Sequence, residues 1–113
     1  MPAGYQEIFL EQGTDFTTTI TLNDINAVPF DLTDYTAKSQ IKKSYYSSNS
    51  VATFTISILI PEKGTITMDL NSAHTANIAA GRYVYDVLVK DSANTIIRVL
   101  EGIVNVLPQV TKF

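Results

Sequence analysis

Carboxylates are the side chains in this sequence with the most chemistry to offer. Asp24, Asp31 and Asp34 fall close together in "NDINAVPFDLTD". Clustered carboxylates are what a Ca²⁺ site or a glycosidase acid pair requires. Their spacing matches no calcium loop, and Asp is a common turn residue in such a stretch. Glu7, Glu11, Glu62 and Glu101 are scattered along the chain, and Asp86 alternates away from Tyr83 and Tyr85, where a surface ion pair with Lys or Arg is its plainest role. His74 is the single histidine, so a histidine-based catalytic pair or a multi-histidine metal site is out of reach. It reads as a polar position on a connecting helix. Cysteine is absent, which removes thiolate chemistry and disulfides, and the five glycines are dispersed, so no phosphate-cradling loop forms. The expectation is a protein without catalytic residues, metal or cofactor.

The stretch "DLTDYTAKSQIKKSYYSS", residues 31–48, concentrates lysine and tyrosine instead. Alternation puts Tyr35, Ala37, Ser39 and Ile41 on one face of a strand and Thr36, Lys38, Gln40 and Lys42 on the other; Lys43 then falls on the apolar side as the strand leaves the core. Lys38 and Lys42 read first as a solvent face that blunts an edge strand against unwanted pairing. Contact with a partner is the competing reading. Tyr45 and Tyr46 are consecutive, so their rings point oppositely on a strand and one core cannot take both. Tyrosine is enriched in interfaces because it covers a large area at little rotamer cost. The candidate contact residues are therefore Lys38, Lys42, Lys43, Tyr45 and Tyr46, joined by Phe9 and Phe113 near the two ends. A formal net charge of −3 and the shortness of the basic stretch exclude a general nucleic-acid binder.

Strands must position these residues. The chain has 113 residues and is 45% hydrophobic, enough for one domain over 1–113 with a single core. "DFTTTITL", "ATFTISI", "GTITMDL" and "RYVYDVLVK" all alternate with the period of a half-buried strand, and their threonines and valines suit the pleat. "NDINAVP", "SSNS", "PEKG" and "KDSANT" carry the turn residues between them, the last two short enough to close hairpins. In "TIIRVLEGIVNVLP" the apolar phase slips by one residue near Gly102, which reads as a β-bulge. "NSAHTANIAAG" breaks the alternation and predicts a short helix near 72–79, with Asn71 or Ser72 at the N-cap and Gly81 at C′. In "MPAGYQEIFLEQG", Ile8 and Leu10 share a face and Phe9 opposes them; the segment predicts the domain's own first strand, or else a strand that completes a neighbour's sheet. The sum is about seven strands (near 5–11, 15–22, 34–43, 51–59, 64–70, 82–90 and 95–107) and an all-β, two-sheet sandwich, with a small barrel second. The N-terminus lacks a signal-peptide pattern, and the longest apolar run, Ile58–Ile60, is far short of the ~20 residues that span a bilayer, so no membrane partner is expected.

"NIAAGRYVYDV" sharpens the fold. Gly81, Tyr83 and Tyr85 resemble the Gly-x-Tyr-x-Cys corner that opens strand F of immunoglobulin-like sandwiches, with Tyr85 in the place of the cysteine. The missing cysteine pair and tryptophan exclude an antibody-type domain. Over nearly its whole length the chain also resembles a family of small virion structural proteins of tailed phages, and the immunoglobulin-like N-terminal domain of phage baseplate upper proteins. The resemblance is carried by "DLT-x-Y-x-A" leading into a strand, by a helix followed by "G-x-Y-x-Y-D", and by the closing "EG-x-V-x-V-x-P-x-V-T". It implies an accessory, decoration or tail, neck or baseplate subunit, assembled in the host bacterial cytoplasm and present in several copies. Its partners would be other virion proteins. The alternative it leaves open is a module for a host-surface glycan or receptor, with exposed tyrosines stacking on sugar rings.

Overall fold

The computed structural model describes residues 4–23 and 28–112. Eight strands follow in chain order: β1 Gly4–Tyr5, β2 Ile8–Glu11, β3 Phe16–Thr21, β4 Thr36–Lys42, β5 Ala52–Ile60, β6 Thr65–Leu70, β7 Gly81–Lys90 and β8 Ile96–Leu107. One helical turn, α1 Ser72–Thr75, joins β6 to β7. β8 lies beside β7, β7 beside β4, and both β1 and β2 run parallel along the far side of β8. β3 pairs with β6, and β6 with β5. β5 belongs to both layers: Ala52–Phe54 pair with β4, and Thr55–Ile60 pair with β6. The two layers thus form one curled sheet. The order β4–β7–β8 matches the C-F-G sheet of immunoglobulin-like sandwiches, and β3–β6–β5 matches its B-E-D sheet. The chain is an immunoglobulin-like β-sandwich.

Alternation explains what the layers bury. Tyr83, Tyr85, Val87 and Val89 of β7, Ile8 and Leu10 of β2, and Val104 and Val106 of β8 face Ile66, Met68 and Leu70 of β6. Where antibody domains tie B to F with a disulfide, aromatic rings do the spanning here. Phe16 on β3 meets Phe54 on β5 at 6.0 Å, and Phe54 meets Tyr85 on β7 edge-on, also at 6.0 Å. The corner expected at Tyr83 is present: its hydroxyl donates to the Ala79 carbonyl at 2.6 Å. Both expected hairpins close. β5 turns into β6 through a 3₁₀ turn at Pro61–Lys63, and Asp91 Oδ1 accepts from Ala93 N and Thr95 N between β7 and β8.

Five expectations need correction. The bulge in β8 lies at Val99, not at Gly102: Val87 pairs with Leu100 and Leu88 with Arg98, so Val99 is the extra residue and both Val99 and Leu100 reach the core. Gly102 answers a different demand. A Cβ there would sit 2.1 Å from the Gln6 carbonyl oxygen, because the N-terminal strand crosses directly over it. At that crossing Gln6 N donates to the Glu101 carbonyl at 3.0 Å, while the Gln6 carbonyl accepts the Tyr85 hydroxyl at 2.6 Å. The ladder is interrupted there, so the expected strand 5–11 appears as β1 and β2.

The helix is shorter than 72–79. Asn71 caps it as expected, accepting from His74 N at 3.0 Å, but it tightens after Thr75 into the turn bonds Asn77 N to His74 O and Ile78 N to Thr75 O. Burial of Ile78 and the commitment of the Ala79 carbonyl to Tyr83 draw the chain off the helical path. Gly81 is consequently no C′ residue; it opens β7 at φ +150°, a conformation side-chain-bearing residues rarely adopt. Finally, β4 is an edge strand only at its start. It pairs with β7 along Thr36–Lys42 and with β5 at Ser39–Ile41, so the edge role expected of both lysines is left to Lys38 alone, whose stretch has no β5 partner.

Removing the Tyr85 hydroxyl takes away the part-buried bond to the Gln6 carbonyl. Tyr85→Phe is expected to cost about 1–3 kcal/mol in urea unfolding; a loss within error of zero contradicts the tie to Gln6. Burial, with a smaller effect of Tyr5, pushes the Tyr85 hydroxyl well above the ordinary tyrosine value of 10.0. The folded state therefore keeps a proton that the unfolded chain releases. That stabilisation is complete below about pH 10 and declines as pH rises past it. The decline should be smaller in Tyr85→Phe. Gly102→Ala must displace the first strand and should cost about 3 kcal/mol; a cost under about 0.5 kcal/mol would refute the close crossing.

Candidate interaction surface

The outward residues of β2, β8, β7 and β4 make one continuous face. Register sets its rows. Ile103 lies opposite Val84 and Val84 opposite Lys42; Asn105 opposite Arg82; Arg98 opposite Leu88 and Leu88 opposite Lys38; Ile96 opposite Lys90 and Lys90 opposite Thr36. Phe9, beside Asn105 on the parallel strand, is 58% exposed because its neighbours Ile8 and Leu10 take the inward side. The face is held by its own polar bonds. Glu7 accepts from Asn105 Nδ2 at 2.8 Å, and Arg98 bridges Asp86 at 3.3 Å and Glu101 at 3.4 Å, giving Asp86 the surface ion pair expected of it. A shallow groove of about 260 Å³ runs across it, lined by Gln40, Lys42, Tyr45, Val84, Leu88 and Arg98 among others.

Of the contact candidates, Lys38 and Lys42 lie on this face, and Phe9 stands at its β2 margin. Tyr45 borders the groove past the end of β4, 57% exposed, and Tyr46 in the same turn is 98% exposed. Both tyrosines are outside the core, one more than alternation required. Lys43 has turned away: its Nζ donates to the Arg82 carbonyl at 3.3 Å and sits 4.7 Å from the centre of the Tyr83 ring, covering the tyrosine corner. Phe113 lies outside the described residues. Leu88, Ile96 and Arg98 complete the face but carried no signal as contacts. The alternation of 82–90 did hold a clue, since it sends Leu88 outward with Lys90 and Asp86.

Among the described residues the acidic cluster of the 23–34 stretch forms no site. Asp24 lies outside the described residues. Asp31 accepts from Thr33 N at 2.9 Å and Thr33 Oγ1 at 2.6 Å, and these bonds hold its carboxyl below the usual value. That is the local work of a turn residue. Asp34 adopts a left-handed φ of +65°. Among the described residues no group of three His, Cys, Asp or Glu side chains is placed to hold a metal ion. No helix among them is long and apolar enough to cross a membrane. His74 is exposed on α1.

No protein-family model matches the chain, and no curated protein matches it either. Among solved structures it is similar to CopC from Methylosinus trichosporium OB3b, at 13% identity over 99% of this chain and 92% of that one, with a TM-score of 0.49. It is also similar to a chain in the structure of ICOS in complex with ICOS-L and an anti ICOS-L VNAR domain, at 13% identity and a TM-score of 0.45; there it covers 95% of this chain and 56% of the other.

Because the rings of Tyr45 and Tyr46 are exposed, replacing both by alanine should move the thermal midpoint by no more than about 3 °C. A fall of about 10 °C or more would mean that these rings support the core.

Proposed function

We propose that this chain is a non-enzymatic structural subunit of a tailed-phage virion that binds other virion proteins through the β2–β8–β7–β4 face and the adjoining tyrosine turn. The observation that carries the reading is that face. It leaves Phe9, Tyr45, Leu88 and Ile96 exposed among charges, a mixture typical of protein contact surfaces. The immunoglobulin-like fold is compatible with many functions and does not itself choose one. What points to a virion is the whole-chain resemblance carried by "DLT-x-Y-x-A", "G-x-Y-x-Y-D" and "EG-x-V-x-V-x-P-x-V-T". Assembly would take place in the host bacterial cytoplasm, with the subunit repeated in several copies.

The groove beside Tyr45 favours a second reading, a module for a host-surface glycan or receptor. Its aromatic rim and the polar Gln40, Lys42 and Arg98 suit a sugar ring. Saturable binding of the isolated chain on a glycan array would favour this reading over the first.

Mass spectrometry of purified particles of the encoding phage should find the chain at several copies per particle. Tyr45→Ala with Tyr46→Ala should lower its incorporation severalfold while the chain stays folded. Absence from the particles contradicts the virion role.

A further inference from the structure

Two regularities of the β2–β8–β7–β4 face coincide. The first is charge. At the β2 margin stand Glu7, just before the strand, and the outward Glu11, with no base; the outward residues of β4 include Lys38 and Lys42 and no acid. On the strands between, Arg98 is engaged by Asp86 and Glu101, while Arg82 and Lys90 of β7 are exposed and form no ion pair among the described residues. Lys38 and Lys42 form no ion pair among the described residues, and neither do Glu7 and Glu11. Charge therefore rises from negative to positive across the strands, with both margins unneutralised. The second is shape. Ile103 and Val84 face each other on the two central strands, and an exposed aromatic stands at each margin, Phe9 on β2 and Tyr45 just past β4.

We propose that a second copy of this chain docks on this face, with a two-fold axis parallel to the strands and between β7 and β8. Rotation about that axis lays the β2 margin of each copy over the β4 margin of the other. Glu7 then lies over Lys42 of the second copy, Ile103 over Val84, and Phe9 over Tyr45. A two-fold axis across the strands would instead set glutamate margin on glutamate margin and lysine margin on lysine margin. The charge gradient thus selects one arrangement, and the apolar row and the aromatic pair are self-complementary in that same arrangement. Asp86 and Glu101 meet their counterparts near the axis, where Arg98 in each copy offsets them. Four strands at ~4.8 Å spacing and roughly eight residues at ~3.3 Å give a footprint of about 500 Å² per copy before side-chain relief. A standard interface buries about 800 Å² per partner, so a reversible dimer is expected. The inference does not depend on the virion role, since self-association is measured on the isolated chain.

Sedimentation of the full chain from about 1 to 200 µM tests it, in about 50 mM and 500 mM salt. The wild-type chain should form a dimer that weakens in high salt. Glu7→Lys with Glu11→Lys, and separately Lys38→Glu with Lys42→Glu, should each raise the dissociation constant at least about tenfold. An equimolar mixture of the two variants should restore a dimer containing one chain of each, because both margins are then opposite in sign. Val84→Glu on the central row should also abolish association, which keeps the test decisive if Glu7→Lys disturbs the Asn105 bond and folding. A wild-type chain that stays monomeric at the highest concentration, swapped variants that still self-associate, or a mixture of folded variants that stays monomeric would each overturn the proposal.

Discussion

One crossing sets the geometry on which the rest depends. Gln6 lies against Gly102 so closely that a methyl group would not fit between them, and the Gln6 carbonyl is taken by the Tyr85 hydroxyl from inside the core. The parallel seating of the first strand beside β8 is local in space but distant in sequence, so it has no hairpin turn to enforce it. A directed bond from a buried phenol, together with the missing side chain at 102, supplies that enforcement. Through it Glu7 and Phe9 become the margin of a four-stranded face rather than parts of a loose arm.

The same tyrosine links that margin to the interior. Its ring stacks edge-on against Phe54, which reaches Phe16 in the opposite layer, so one side chain serves the first strand, the central strand and the inter-layer contact. An aromatic chain does here by dispersion and burial what a covalent cross-link does in antibody domains. β5 adds a second link between layers by pairing with β4 at one end and β6 at the other. With the layers joined in these ways, the outward side of β2–β8–β7–β4 is left as a rigid platform. Its residues are constrained little by the fold and are open to selection for contact.

Much of the fold was legible because burial on one side writes period-2 alternation into the chain. The strands at 82–90 and 51–59 follow directly from that pattern and from turn chemistry, and the tyrosine corner at Tyr83 follows from the resemblance to immunoglobulin-like sandwiches. The errors arose where one residue type answers more than one demand. Gly102 sits near a phase change, which suggests a bulge, but the bulge needs only Val99, and the glycine serves a close approach by a strand nearly a hundred residues away. Lys38 and Lys42 suggested an edge, yet β5 leaves only the Thr36–Lys38 stretch open, and the solvated face of an interior strand carries lysine equally well. For Tyr45 and Tyr46 the alternation argument requires one ring at the surface, because no single core accepts consecutive rings, and the structure puts both there. Leu88 and Ile96 were passed over as contact residues because a lone exposed aliphatic is common and gains meaning only beside its cross-strand neighbours. The face is a property of register, and register joins residues that the sequence holds far apart.

Hydrogen–deuterium exchange on the wild-type chain and on Tyr85→Phe tests most directly whether the crossing holds the first strand in place. The account predicts that in the wild type the amides that β2 directs at β8, those of Ile8 and Leu10, exchange nearly as slowly as those of β8. In Tyr85→Phe they should open selectively while β7 and β8 stay protected. Equal protection of β2 in both chains, or a loss spread evenly over the whole sandwich, would contradict it.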